Sequence, residues 1–201
     1  MMPLLGTLSG DAEYAVFGSA NTARTLLQGS ASHANTTTTS MTTGGGQVSG
    51  AWYNQPLSLA STRTISFTST MSAGGADGFT VAFLSTASYP SAPALGSTGG
   101  NLGIINGAGL YIEFITYTTD ALRITPFGQS MHYGSNLYSS DWSGTHTISV
   151  RVTSAGLVTV RYDGAQIASQ TVAIPATAWV GVTSATGGSS EVHSVSLGIV
   201  S

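Results

Sequence analysis

The sequence contains no cysteine and no lysine, and charged residues make up 6% of its 201 positions, against roughly a quarter in an ordinary soluble domain. Without thiols there is no disulfide framework and no thiolate metal site. A chain of this length can bury a sizeable core without such staples. The five basic residues (Arg24, Arg63, Arg123, Arg151 and Arg161) are scattered, and the formal net charge is −3. Nucleic-acid binding needs cations massed on one face to displace counterions, so that class is excluded. No stretch approaches the ~20 apolar residues of a membrane-spanning helix, so membrane insertion is not expected. Met1 to Gly6 lacks the basic start and apolar run of a signal peptide. The expectation is that the chain is cytosolic when made or that a signal lies outside this sequence.

Catalytic patterns are also missing. The eight acids are Asp11, Glu13, Asp77, Glu113, Asp120, Asp141, Asp163 and Glu191, and no alternating segment carries two of them. A retaining glycosidase needs two carboxylates about 5–5.5 Å apart. There is no G-x-S-x-G elbow and no glycine-rich phosphate loop ending in lysine. His33, His132, His146 and His193 show no zinc-type spacing. The sequence therefore predicts no enzyme.

What remains is rich in Ser, Thr and Gly, with 26 glycines and 41% hydrophobic residues. Such a weakly charged, hydroxyl-rich surface suits neutral glycans or packing inside an assembly, and Thr also favours strands. Helical spacing with caps is absent, whereas period-two alternation recurs. Residues 62–71 place Ile65, Phe67 and Met71 on one face, 147–152 place Ile148, Val150 and Val152, and 157–162 place Val158, Val160 and Tyr162. Residues 192–199 put His193, Val195, Leu197 and Ile199 on one face by the same rule. Asp163-Gly164 predicts a tight hairpin between 157–162 and 165–172. Residues 78–84 are apolar on both faces and predict a central, doubly covered strand. Glycine runs at 44–46, 74–75, 99–100 and 187–188 mark loops. The Ser/Thr/Gly-rich stretch 29–46 reads as an edge strand and loop rather than a linker, and no second domain is indicated, so 1–201 is one all-β domain.

The order of short motifs resembles the legume-type (L-type) lectin family across almost the whole chain. Leu26-Leu27-Gln28-Gly29-Ser30-Ala31 is similar to its early L-x-G-x-A strand, and Ser49 to Leu57 to its G-x-A-x-Y-x-x-P segment. Thr64 to Met71 is similar to the alternating strand that follows. Ala76-Asp77-Gly78-Phe79 matches the A-D-G turn, Gly99-Gly100-Asn101-Leu102-Gly103 the G-G-x-L-G loop, and Tyr111-Ile112-Glu113-Phe114 the metal-binding strand. Trp179 to Gly187 resembles V-G-F-S-A-x-T-G, and Val192 to Val195 the closing H-x-V strand.

The resemblance implies an antiparallel β-sandwich of the jelly-roll, concanavalin A-like type that binds carbohydrate through loops. By position it assigns sugar contacts to Asp77, Gly100, Asn101, Thr119, Gly188 and Ser189, with Ser190 beside them. A carboxylate accepts hydroxyl donors strongly, and glycine lets backbone approach a ligand. Asp77 and Gly100 also read as ordinary turn residues. The family's calcium and transition-metal pair is expected to be lost. Glu113 is retained, but Ile115 replaces a metal aspartate, Thr119 stands for the shared asparagine, and Leu122 or Arg123 falls near the histidine position. Isoleucine offers no oxygen to a hard cation. No cofactor is therefore expected, with Asp120 as a partial substitute ligand for calcium. In the family calcium holds the Ala–Asp peptide cis, which leaves the Ala76–Asp77 geometry open. Without a metal, Glu113 needs a partner such as His132, His146 or Tyr117.

Tyr53, Tyr89, Tyr133, Tyr138 and Trp142 are candidates for stacking on a sugar ring or for capping the sandwich edge. The partner is a glycan or a neighbouring structural protein, an oligomer is plausible, and the setting is extracellular or the surface of a virion. A bacteriophage tail-fibre or capsid decoration fits the composition.

Overall fold

The computed structural model describes residues 13–73 and 75–201. The reading of Met1 to Gly6 and the Gly74 half of the Gly74-Gly75 turn lie outside these residues. Among the described residues fifteen strands occur in chain order. They are β1 (Tyr14–Val16), β2 (Thr25–Gly29), β3 (Ser32–His33), β4 (Thr38–Thr42), β5 (Val48–Tyr53), β6 (Leu57–Ser58), β7 (Arg63–Met71) and β8 (Gly78–Ser85), followed by β9 (Gly109–Ile115), β10 (Ala121–Thr125), β11 (Gly144–Val152), β12 (Leu157–Tyr162), β13 (Ala165–Thr171), β14 (Thr177–Ala185) and β15 (His193–Val200). The helical pieces among the described residues are two 3-10 turns, Ser19–Asn21 and Gly99–Asn101.

The strands form two antiparallel sheets. One runs β13-β12-β11-β7-β15-β4-β3 with β1 paired to β15, and the other runs β10-β9-β8-β14-β5-β2 with β6 paired to β14. The period-two pattern sets their inner faces. Ile65, Phe67, Ile148, Val150, Val158 and Val160 of the first sheet bury against Phe79, Val81, Phe83, Leu110, Ile112 and Phe114 of the second. Phe79 stacks on Phe114 with ring centroids 4.5 Å apart, and Phe67 meets Phe79 edge-on at 6.2 Å. The hairpin between β12 and β13 turns at Asp163 (φ 48°) and Gly164 (φ 81°), the double left-handed geometry of a type I′ turn.

Every residue of β8 is buried, and it lies inside its sheet between β9 and β14. Its second face is dry because the long segment 86–108 folds back over it. Leu84 and Ala82 pack there with Trp52, Leu102, Ile104, Tyr111 and Trp179. Thr183 Oγ1 donates to the carbonyl of Leu102 at 2.7 Å, and Gly99 N–H donates to Thr186 O at 3.1 Å. The central sheet thus holds down the loop that carries Gly100.

One alternation fails. His193, Val195 and Val200 are buried, but Leu197 and Ile199 are 64% and 38% exposed. A register shift between Ser196 and Ile199 in the β15–β7 pairing, with Leu197 at φ 52°, rotates these side chains outward. A bulge inserts a residue that periodicity does not foresee.

The outer face of the larger sheet is a ladder of hydroxyls. Ser32, Ser40, Ser194, Thr70 and Thr145 lie opposite one another across five strands. Thr38, Ser196, Thr68 and Thr147 form the next row, and Thr70 Oγ1 and Thr145 Oγ1 are 3.1 Å apart.

Candidate functional site

Asp77 enters β8 from a turn whose Ala76–Asp77 peptide is cis. Its backbone is pinned on both sides: Asp77 N–H donates to Ala185 O at 3.1 Å, and Thr116 N–H donates to Asp77 O at 3.0 Å. Gly78 follows at φ 121°, where a Cβ would stand 2.1 Å from the Phe114 carbonyl, so only glycine lets β8 lie this close to β9 here. The Asp77 side chain is 6% exposed, and its Oδ2 has no hydrogen-bond partner among the described residues. Burial pushes its carboxyl above the ordinary aspartate range, and the Gly187 backbone N–H offsets part of that rise.

Asp77 forms one wall of a cleft of about 280 Å³. Gly100 and Thr119, both expected from the sequence, line the same cleft, together with Arg123, His132 and Asn136. Asn101 does not. Its amide turns back to the carbonyl of Thr98 at 3.4 Å, closing the 3-10 turn. Gly188 and Ser189 are exposed on the loop after β14 and do not line the cleft either. That loop passes behind Asp77, where a Cβ on Gly187 would stand 3.1 Å from Asp77 Oδ2.

The floor comes from the outer faces of β9 and β10. Leu110, Ile112 and Phe114 of β9 point into the core, which turns Tyr111, Glu113 and Ile115 the other way. Antiparallel pairing sets Arg123 opposite Glu113 and Thr125 opposite Tyr111. Glu113 is fully buried, and its carboxylate is enclosed by donors. Thr125 Oγ1 donates to Oε1 at 2.6 Å, and His132 backbone N–H reaches both oxygens at 3.1 and 3.2 Å. His132 Nδ1 lies 2.7 Å from Oε2, and its Nε2 lies 3.0 Å from Gly100 O. A left-handed backbone at His132 (φ 58°) lets its amide and ring converge on one carboxylate.

The ring's two partners define its charge. A carboxylate and a carbonyl are both acceptors, and a neutral imidazole donates from one nitrogen alone. Both contacts are hydrogen bonds only for the imidazolium. The hydrogen bond to Glu113 accordingly raises the His132 pKa, against the opposing effect of burial. The His132 ring therefore ties β9, the Gly100 loop and the 131–138 loop together.

The calcium and transition-metal pair that the resemblance implies does not fit these residues. Ile115 lines the cleft where a carboxylate ligand is expected, and the Glu113 oxygens are taken up by Thr125 and His132. Among the described residues no three of His, Cys, Asp and Glu converge on a metal position. Asp120 is turned away from the cleft and lines a separate hollow with Asp141 and Ser143.

Glu191 is the residue that sequence reasoning missed beneath Asp77. It is 2% exposed, and Thr116 Oγ1 donates to its Oε2 at 2.9 Å. Burial pushes its carboxyl up to about 7, with the Thr116 bond lowering it and the Asp77 and Asp120 charges raising it further. Of the aromatic candidates, Tyr53 and Trp142 are buried in the sandwich, while Tyr133 and Tyr138 are exposed. His146 pairs with Asp163 at 2.8 Å, and Tyr117 lines the cleft without touching Glu113.

No known protein family matches the sequence, and no curated protein matches it. Solved structures do match the fold. The chain is similar to lectin II from Ulex europaeus at a TM-score of 0.75 and 18% identity, covering 94% of this chain and 97% of that one. A lectin from Bauhinia forficata in complex with GalNAc gives 0.74 and 18%, over 95% and 97%. The exoplasmic/lumenal domain of VIP36, in a Ca2+/Man3GlcNAc-bound form, gives 0.71 and 15%, over 92% and 86%. The architecture is the two-sheet, concanavalin A-like sandwich of the legume lectins.

Proposed function

We propose that this chain is a non-catalytic carbohydrate-binding module that works without a bound metal. The observation that carries the reading is a cleft whose lining brings Asp77 together with Gly100 and Thr119. A carboxylate accepts hydrogen bonds from hydroxyls strongly, and sugar hydroxyls are donors of the right kind. Asp77 is the one acid lining the cleft among the described residues, which supports binding over acid–base chemistry. The fold neighbours captured with GalNAc and, in a Ca2+-bound form, with Man3GlcNAc support the carbohydrate-binding part of this reading.

The test is a glycan array with purified protein, in calcium and again in chelator, beside Asp77→Ala. Binding that survives chelator and falls at least about tenfold in the variant, which is ~1.4 kcal/mol, is the expected outcome. Binding that requires calcium, or that ignores Asp77, overturns it.

A second reading is a structural module that keeps the fold for protein contacts, as in a virion or phage tail component. It draws on the outward-turned Leu197 and Ile199, which join Ala15 and Val16 around a shallow apolar hollow. Silence across the array, with this patch buried in an assembled particle, would favour it. The setting we propose for either role is extracellular or the surface of a particle.

A further inference from the structure

Asp77 accounts for only part of the cleft lining. Arg123 and Asn136 also line it, and their chemistry is one-sided. Arg123 projects from the outer face of β10 and lines the cleft. Its Nε–H donates to Asn136 Oδ1 at 2.8 Å, and its Nη1 donates to the carbonyl of His132 at 3.0 Å. Among the described residues these contacts use part of a guanidinium that has five N–H donors and no acceptor. None of them is a carboxylate. Glu113 stands directly opposite in the ladder, but it is engaged by His132 and Thr125, and the ion pairs among the described residues are His132–Glu113 and His146–Asp163.

Asn136 adds to the asymmetry. Arginine only donates, so the amide oxygen of Asn136 must face it, which leaves the Asn136 NH2 with two further donors on the same wall. Asp77 makes no ion pair with Arg123, so the acceptor and the donors are distinct groups on one lining. Ile115 and Ala121 form an apolar strip on the lining, suited to the C–H face of a sugar ring. A neutral sugar would satisfy Asp77 with its hydroxyls but would leave the guanidinium without a counter-charge. A sugar that also carries a carboxylate fits both groups, because the planar fork of arginine matches a carboxylate through two parallel hydrogen bonds.

We infer that the cleft selects sugars bearing a carboxylate, with Arg123 and Asn136 as the specificity-determining residues alongside Asp77. This rests on the carbohydrate-binding reading and narrows it. The chain's net charge of −3 opposes acidic polymers in general, so a preference for them has to come from this local arrangement rather than from bulk attraction.

The test uses probe pairs that differ in the carboxylate alone. Binding of the full chain to an oligogalacturonide is compared with its methyl ester, and binding to a sialylated lactose with the methyl ester of that same glycan, all at 150 mM salt and on the same surface. At least about tenfold tighter binding to the acid in either pair is expected, the scale of one charge-assisted bidentate contact. Arg123→Gln brings the acid-to-ester ratio to within about twofold, and Arg123→Lys, which keeps the charge but not the fork, falls between. The ratio in the unaltered protein stands even if a variant fails to fold.

Equal or tighter binding to the neutral member of each pair, still lost in Asp77→Ala, overturns the acid preference while leaving carbohydrate binding intact. An acid preference unchanged in a folded Arg123→Gln protein removes Arg123 from the role. No binding to either member of either pair, or to the wider array, removes both readings together.

Discussion

His132 is the residue on which the arrangement of the cleft turns. Its ring bridges a fully buried glutamate and Gly100 O. His132→Ala leaves Glu113 buried and short of a donor. The expected cost is about 2 kcal/mol, below that of a wholly buried pair because the imidazole is partly exposed to water. Urea unfolding at neutral pH measures it, and Glu113→Gln combined with His132→Ala should recover part of the loss. The pH dependence has a definite sign. The folded-state pKa of His132 is raised, so its contribution is complete below the ordinary histidine range and disappears as pH rises through the raised value. The variant should lack this alkaline loss. At this scale the sequence was half legible. Asp77, Gly100 and Thr119 stand out by motif, and the need of Glu113 for a partner follows from an acid inside an apolar strand. Choosing His132 over His146 required the left-handed turn at 132, which no local pattern announces. Arg123 was visible only as the residue near a missing histidine. Asn101, Gly188 and Ser189 fell outside the cleft because motif position does not say which way a loop residue faces.

At the scale of elements, the cleft depends on strands that never touch it. β8 and β14 hold the 86–108 segment through Thr183 Oγ1 and Leu102 O. Thr183→Val removes that donor at nearly constant volume and should cost about 1 kcal/mol of stability. Because the freed carbonyl lies beside the Gly100 turn, sugar affinity should fall too, and calorimetry with the array-selected glycan would show both. An affinity equal to that of the parent protein would mean that the loop is held elsewhere. Phe79 marks the opposite extreme. It stacks between Phe114 and His193 in the middle of the sandwich, and Phe79→Ala should cost about 3–5 kcal/mol by chemical denaturation. Strands with one dry face were legible from alternation, and β8 from having no polar face at all. The bulge in β15 was not, because a single inserted residue inverts the pattern after it. The covering of β8 by 86–108 was equally hidden, since a long loop carries no period.

At the scale of the whole molecule, two buried groups shape stability against pH in opposite senses. His193 is fully buried, held by Ser69 Oγ at 3.0 Å, and its pKa is pushed from 6.5 down to about 3. The unfolded chain therefore binds the extra proton first, and stability falls as pH drops below about 6.5. Glu191 is pushed from 4.5 up to about 7, so here the folded state holds the proton and stability falls as pH rises from 4.5 towards 7. The slopes oppose between 4.5 and 6.5, and the thermal midpoint should vary little there. Glu191→Gln should raise the midpoint at pH 7 and leave a clear rise with pH across that window. A midpoint at pH 7 that does not move would show that Glu191 is no burden when ionised. The hydroxyl ladder on the outer face of the larger sheet lies on the side of the sandwich away from the smaller sheet. Each Ser or Thr there both donates and accepts by turning one bond, so one row of the ladder is chemically much like the next. A partner laid on this face meets nearly the same surface after sliding by one strand or one row. It is a slip plane, wet and self-similar, with no notch to fix an alignment.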